Sequence, residues 1–138
     1  MFQIVYVSSA VSAFSSDELL DLMARSREKN AKAEVSGMLL YKDGNFMQVL
    51  EGPEEAVRGT HARIEGDPRH RGLLTLVRGS VEGRRFPSWS MGFRDLRSPE
   101  VISAPGYNAF LNTPLTGREF SGDPTRCERL LLTFKRSM

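Results

Sequence analysis

Asp43-Gly44 lies between two apolar runs, Val35 to Lys42 and Asn45 to Glu51. An Asp-Gly pair tolerates the positive φ values of a two-residue hairpin turn, so the two runs are predicted to be adjacent antiparallel strands. That hairpin fixes the middle of the chain, and its flanks constrain the rest. Upstream, Phe2 to Ser8 is rich in Ile, Val and Tyr and reads as a strand, and Ser15-Ser16-Asp17-Glu18 opens a helix with a capping box. Leu19, Met23 and Ser26 recur at helical spacing, and the same step reaches Asn30, which is expected to point inward near the helix end. Downstream, Gly52-Pro53-Glu54-Glu55 starts a second helix, with acids at its positive end, and Gly66-Asp67-Pro68 closes it. Its buried stripe is predicted to be Val57, Thr60 and Ile64, with His61 on the surface.

Gly72 to Val81 and Ser88 to Leu96 supply two more strands. The order is β-α-β-β-α-β-β, an α+β, ferredoxin-like β-α-β-β-α-β arrangement with an added fifth strand. Residues 1–96 are expected to form the domain, and residues 97–138 a C-terminal helical extension packing on the sheet. Ser98-Pro99, Pro105-Gly106, Thr113-Pro114 and Asp123-Pro124 interrupt that extension. Its last segment is helical, with Asp123 as cap, Pro124 in the first turn, and a stripe of Cys127, Leu130, Leu131 and Phe134. Alternation in the strands shows why such an extension is needed. Phe2 and Ile4 are apolar on one side of the first strand and Val5 and Val7 on the other; Phe46 and Leu50 oppose Met47 and Val49 in the same way. Two long helices cover one face only, so the extension or a partner is expected on the second.

Composition excludes several classes. At 138 residues the chain suits one domain, and no stretch approaches the roughly 18 apolar residues of a membrane span. No basic leader precedes Phe2, so a cytoplasmic location is expected. One cysteine and two histidines give neither a disulfide framework nor a metal site. The net charge of +2 arises from interspersed charges rather than the clustered basic footprint of a nucleic-acid binder.

Three polar side chains stand out. Tyr6 shares a strand face with Phe2 and Ile4, Gln48 shares one with Phe46 and Leu50, and Asn30 ends the apolar stripe of the first helix. A polar group buried unpaired costs about 1–3 kcal/mol, so these groups need partners. They could satisfy one another or bind water; together they also provide the donors and acceptors that a planar heteroaromatic ligand would need.

The motifs carrying these residues follow in order: Ile4-Val5-Tyr6-Val7-Ser8, Asn30 to Tyr41, Gly44 to Gly52, Asp67-Pro68-Arg69-His70, and Arg85-Phe86-Pro87-Ser88-Trp89-Ser90-Met91. In this sequence and spacing the chain resembles the BLUF family of blue-light photoreceptors over about residues 2–96. The resemblance implies a non-covalent flavin, FAD with FMN as the alternative, between the two long helices, its ring meeting Tyr6, Asn30 and Gln48. It implies a switch rather than an enzyme: Tyr6 is the light-driven electron and proton donor, and the Gln48 amide rearranges. Asn30 is expected to anchor the ring. Asp67, Arg69 and His70 are expected beside the ring and ribityl chain, although Asp67 and Arg69 equally suit solvated charges beyond a helix-ending proline. Trp89 and Met91 share a strand face, and the resemblance implies that either can lie near the switching Gln48 as part of the photoactive switch; core packing is the competing explanation for both, and Met91 is expected to be the nearer to Gln48. A homo-oligomer and a downstream signalling protein are the implied partners, with no nucleic acid and no membrane.

Other uses of the fold fit less well. An acylphosphatase needs an arginine in a glycine-rich loop after the first strand, whereas Ser8 to Ala13 contains neither residue. An RNA-binding sheet displays aromatics among basic residues on its central strands, unlike Phe46 to Leu50. A flavin-free adaptor or small-molecule sensor of the same fold remains the alternative.

Overall fold

A computed structural model describes residues 1–94, 96, 98–113 and 125–137. Strand β1 (Phe2–Ala10) leads to helix α1 (Ser16–Lys32), the hairpin strands β2 (Ser36–Lys42) and β3 (Asn45–Gly52), helix α2 (Glu54–Glu65), and strands β4 (His70–Ser80) and β5 (Ser90–Phe93). The sheet order is β4-β1-β3-β2-β5. Neighbouring strands are antiparallel except for the parallel pair of β2 with β5. This is the ferredoxin-like plan with a fifth strand.

Local chemistry sets the element ends. Ser15 accepts from the Glu18 N–H at 3.2 Å while the Glu18 carboxylate accepts from the Ser15 N–H at 2.9 Å, the reciprocal pair that begins α1. The helix runs two residues past Asn30, which is buried with Leu19 and Met23. At the hairpin, Asp43 (φ 52°) and Gly44 (φ 77°) both adopt the left-handed conformation that a type I′ turn requires. Strand β5 is shorter than predicted because its partner runs out: Phe93 pairs with Tyr41, one residue before β2 ends. At the other end of β2, the Arg84 guanidinium occupies the edge, donating to Ser36 Oγ at 2.6 Å and to the Glu51 and Glu34 carbonyls. His61 departs from its expected surface position and is buried. It lies four residues after Val57 and shares its stripe, so the buried face of α2 is a wider arc than its apolar residues alone outline.

The sheet has a core on each face. Under α1 and α2 lie Phe2, Ile4, Tyr6, Leu39, Tyr41, Phe46, Leu50, Trp89, Met91 and Phe93, with Leu19, Met23 and Val57 from the helices. On the other face Val5, Met38, Leu40, Met47 and Val49 pack with Phe86, Leu111, Cys127 and Leu131. Cys127 and Leu131 belong to helix α4 (Arg126–Arg136), which a short helix α3 (Pro99–Ile102) precedes in the chain. Thr125 caps α4, forming its own capping box with Glu128. The expected cap Asp123, and Pro124 after it, lie outside the described residues. At its other end, Lys42 on β2 is buried and donates to the carbonyls of Phe134 (2.5 Å) and Lys135 (3.0 Å), placing a cation at the negative end of the helix.

Candidate functional site

Strand register assembles the site. Tyr6 pairs across the sheet with Gln48, Gln48 with Leu39, and Leu39 with Met91, so four side chains of one face form a row over β1, β3, β2 and β5. Tyr6 and Gln48 are buried, and the phenol O–H donates to Gln48 Oε1. Burial, reinforced by the negative charge of Asp67, pushes the Tyr6 phenol far above its ordinary pKa of 10.0. It is therefore a neutral O–H donor throughout the physiological range.

Above the row, between α1 and α2, opens a cavity of about 270 Å³. Tyr6, Gln48, Asn30, Asp67, Arg69 and His70 all line it. Asn30 is carried on the last turn of α1, and its backbone carbonyl accepts from Val35 N–H at 2.8 Å, which secures the helix end to the start of the hairpin. Past α2, Arg69 contacts the Asp67 carboxylate through Nε (3.1 Å) and Nη2 (2.7 Å). The hydrogen bonds from Arg69 hold the Asp67 carboxyl below its ordinary range, so the pair is ionic. His70 Nε2 lies 2.6 Å from the Ile64 carbonyl and must be the protonated nitrogen. Its Nδ1 is buried and without a hydrogen-bond partner among the described residues.

Met91 and Trp89 do not line this cavity. Both are buried in the core beneath it, and Leu39 stands between Met91 and Gln48 in the row. Trp89 precedes β5, outside the paired register, and its buried Nε1 has no partner among the described residues.

Sequence reasoning missed Phe14 and the exposed basic residues Arg25, Lys29 and Arg63, which also line the cavity. Arg25, Ser26 and Lys29 follow Leu22 at helical spacing, so their position on the flank of the α1 stripe was available. Nothing in that spacing indicates that the flank borders a cavity.

These residues suit a flavin. The Gln48 and Asn30 amides face the same space and can each offer a donor and an acceptor to a heteroaromatic edge. The unpartnered Nδ1 of His70 needs a hydrogen-bonding partner that a ring atom or a ribityl hydroxyl would provide. Ile64, Leu22, Leu39 and Phe46 supply apolar walls, and the basic rim suits phosphate. This is the architecture of a sensor domain built around a planar cofactor.

Comparison with known proteins agrees. The BLUF family, described as sensors of blue-light using FAD, matches residues 1–92. A photoactivated adenylate cyclase subunit beta of Euglena longa is 33% identical over 89 residues, 64% of this chain and 10% of that protein. The blue light- and temperature-regulated antirepressor BluF of Escherichia coli is 35% identical over 80 residues, 58% of this chain and 20% of that protein. The chain thus spans a small part of these relatives' length. Among solved structures, the BLUF protein BlrB in its dark state superposes with a TM-score of 0.62 at 33% identity, covering 67% of this chain and 70% of that one. BlrP1 of Klebsiella pneumoniae with FMN and cyclic diGMP gives 0.73 at 28% identity, covering 97% of this chain and 34% of its own. The chain belongs to the BLUF family and is a flavin-binding blue-light sensor; the enzymatic relatives match it only over a fraction of their length.

Proposed function

We propose that FAD, or FMN in its place, is held in the cavity between α1 and α2, with Tyr6 and Gln48 as the photoactive pair. Bound there, the flavin supplies blue-light absorption and an excited state that accepts an electron. The chain does the rest. The Tyr6 phenol is the oxidisable group: its electron would pass to the excited flavin and its proton along the hydrogen bond to Gln48, and both would return to Tyr6 as the ground state is restored. The Gln48 amide, by turning over, exchanges its donor and acceptor ends and so reverses the hydrogen bonds it makes. Asn30 holds the ring in register, and the Asp67–Arg69 pair and His70 border the ribityl side. Arg25, Lys29 and Arg63 bind phosphate at the rim. Met91, at the end of the row, and Trp89, in the same core, carry the rearrangement away from the cavity.

The observation that carries this reading is the Tyr6 hydroxyl donating to Gln48 Oε1 in the wall of a cavity that Asn30 also lines. Residues 1–96 act as the light-sensing unit and residues 97–138 as the extension through which the signal leaves, by contact with a second copy or a cytoplasmic partner protein. No helix among the described residues is long and apolar enough to cross a membrane. The test is the visible spectrum of the purified protein before and after blue light. A flavin spectrum that shifts slightly to the red and relaxes in darkness is expected, and chromatography of the released cofactor decides between FAD and FMN. Protein that stays colourless after incubation with FAD, FMN and riboflavin would refute the assignment.

A further inference from the structure

Behind Tyr6, on the side away from Gln48, the buried His61 imidazole is joined to a half-buried Thr75 and an exposed Glu65. His61 on α2 sets its imidazole against the Tyr6 ring, centroids 5.6 Å apart and planes at 67°. Both of its nitrogens are engaged: Nδ1 lies 3.0 Å from Glu65 Oε1, and Nε2 lies 3.3 Å from Thr75 Oγ1. A carboxylate accepts only, so Nδ1 carries a proton; burial holds the imidazole below its ordinary pKa, and in the neutral ring Nε2 accepts from the Thr75 hydroxyl. The two contacts fix the ring in one orientation. The backbone is adapted to this contact. From Phe2 to Val5, β1 and β4 pair in regular register, but between Val5 and Tyr6 the register shifts by one, so that Thr75 rather than Leu76 stands opposite Tyr6. A bulge of this kind re-aims a side chain, and here it places a hydroxyl where the His61 ring can use it.

We propose that His61, held by Glu65 and Thr75, is a positioning residue for Tyr6. The hydroxyl end of Tyr6 is fixed by Gln48, while the ring pivots unless something bears on its flank. The clamped imidazole provides that support, holding the phenol O–H on Gln48 Oε1. A looser phenol weakens the arrangement to which Gln48 is committed after light and lowers the barrier to its return.

This inference rests on Tyr6 and Gln48 being the photoactive pair, and the experiment separates the two claims. His61→Phe keeps an aromatic ring against Tyr6 and removes both hydrogen bonds; Thr75→Val removes only the hydroxyl, at a half-buried position of β4 that tolerates an isosteric change. Both variants are expected to retain flavin and the red shift but to return to the dark state about fivefold faster, the change in rate expected from losing one modest hydrogen bond. A purely structural His61 would lower the melting temperature and leave the recovery rate alone. If His61→Phe does not fold, Thr75→Val carries the test. Recovery at the parental rate or slower in the folded variants, with a normal parental photocycle, overturns the inference alone. A parental protein with no red shift overturns the reading of the site and this inference with it.

Discussion

The Tyr6 phenol is buried and donates to the Gln48 amide in the wall of the cavity, and this makes the consequences of changing it sharp. Tyr6→Phe preserves the ring that packs under α2 while removing the oxidisable O–H, so flavin should be retained and the light-induced red shift lost. Gln48→Leu should have the same outcome, since leucine fills the layer but has no hydrogen bonds to reverse; a normal photocycle in either variant excludes the assigned pair. His61 adds a pH dependence. Burial lowers its pKa, Arg78 adds to that effect and Glu65 opposes it. The folded protein therefore keeps His61 neutral at pH values where the unfolded chain, with its ordinary value of 6.5, has taken up a proton. Stability should fall as pH drops below about 6.5, and His61→Phe should remove that part of the slope in thermal unfolding followed from pH 7 to 5.5. The low pKa of Asp67 acts in a separate window, below its ordinary 3.8. At this scale the sequence revealed residues whose polarity conflicts with an apolar neighbourhood: Tyr6 and Gln48 through strand alternation, Asn30 through the helical step. It concealed His61 for the same reason, because a histidine among Glu65, Arg63 and Arg58 reads as one more charge on a solvated helix face. Only the bulge opposite Tyr6, a property of paired strands, reveals its role.

At the scale of elements, the β2–β3 hairpin was the most legible feature because its turn and its partners are local. Gly37 shows how tightly the hairpin closes: a Cβ there, at φ 150°, would lie 1.9 Å from the Val49 carbonyl oxygen. Elements whose limits depend on distant partners were read less accurately. Strand β5 stops at Phe93, which pairs with Tyr41 near the end of β2. Lys42 is a further case. By alternation it belongs to the face of Met38 and Leu40, an unusual place for a cation, and only the arrival of α4 explains it. Lys42→Met keeps the aliphatic stem in that layer and removes the donor to the Phe134 and Lys135 carbonyls. We expect a loss of about 1–3 kcal/mol in unfolding free energy, together with faster amide exchange confined to the last turn of α4. Unchanged exchange there would show that packing by Cys127 and Leu131 alone secures the helix.

For the molecule as a whole, the sheet touches both the cavity and α4. Gln48 faces the cavity, while its chain neighbours Met47 and Val49 face the opposite way, into the layer that holds Cys127 and Leu131. A reversal of the hydrogen bonds of Gln48 therefore acts on a strand whose other face is the seat of α4. The adjoining strand β2 carries Leu39 toward the cavity side and Lys42 toward the α4 carbonyls. Such a sheet can bias a packing equilibrium of α4 that already exists in the dark, and couplings of this kind are typically worth about 1–3 kcal/mol, a change of several-fold in the open population. Amide exchange over residues 126–136 should therefore differ between dark and illuminated protein, with the change reaching into β5 and absent from Gln48→Leu. Identical protection in both states, with partner association equally unaffected by light, would mean that α4 only seals the second face of the sheet. Lys42→Met again discriminates. If light acts by loosening α4, releasing its C-terminal end should raise its dark exchange toward the illuminated level and shrink the difference between the two states, whereas a signal leaving by another surface would leave that difference unchanged.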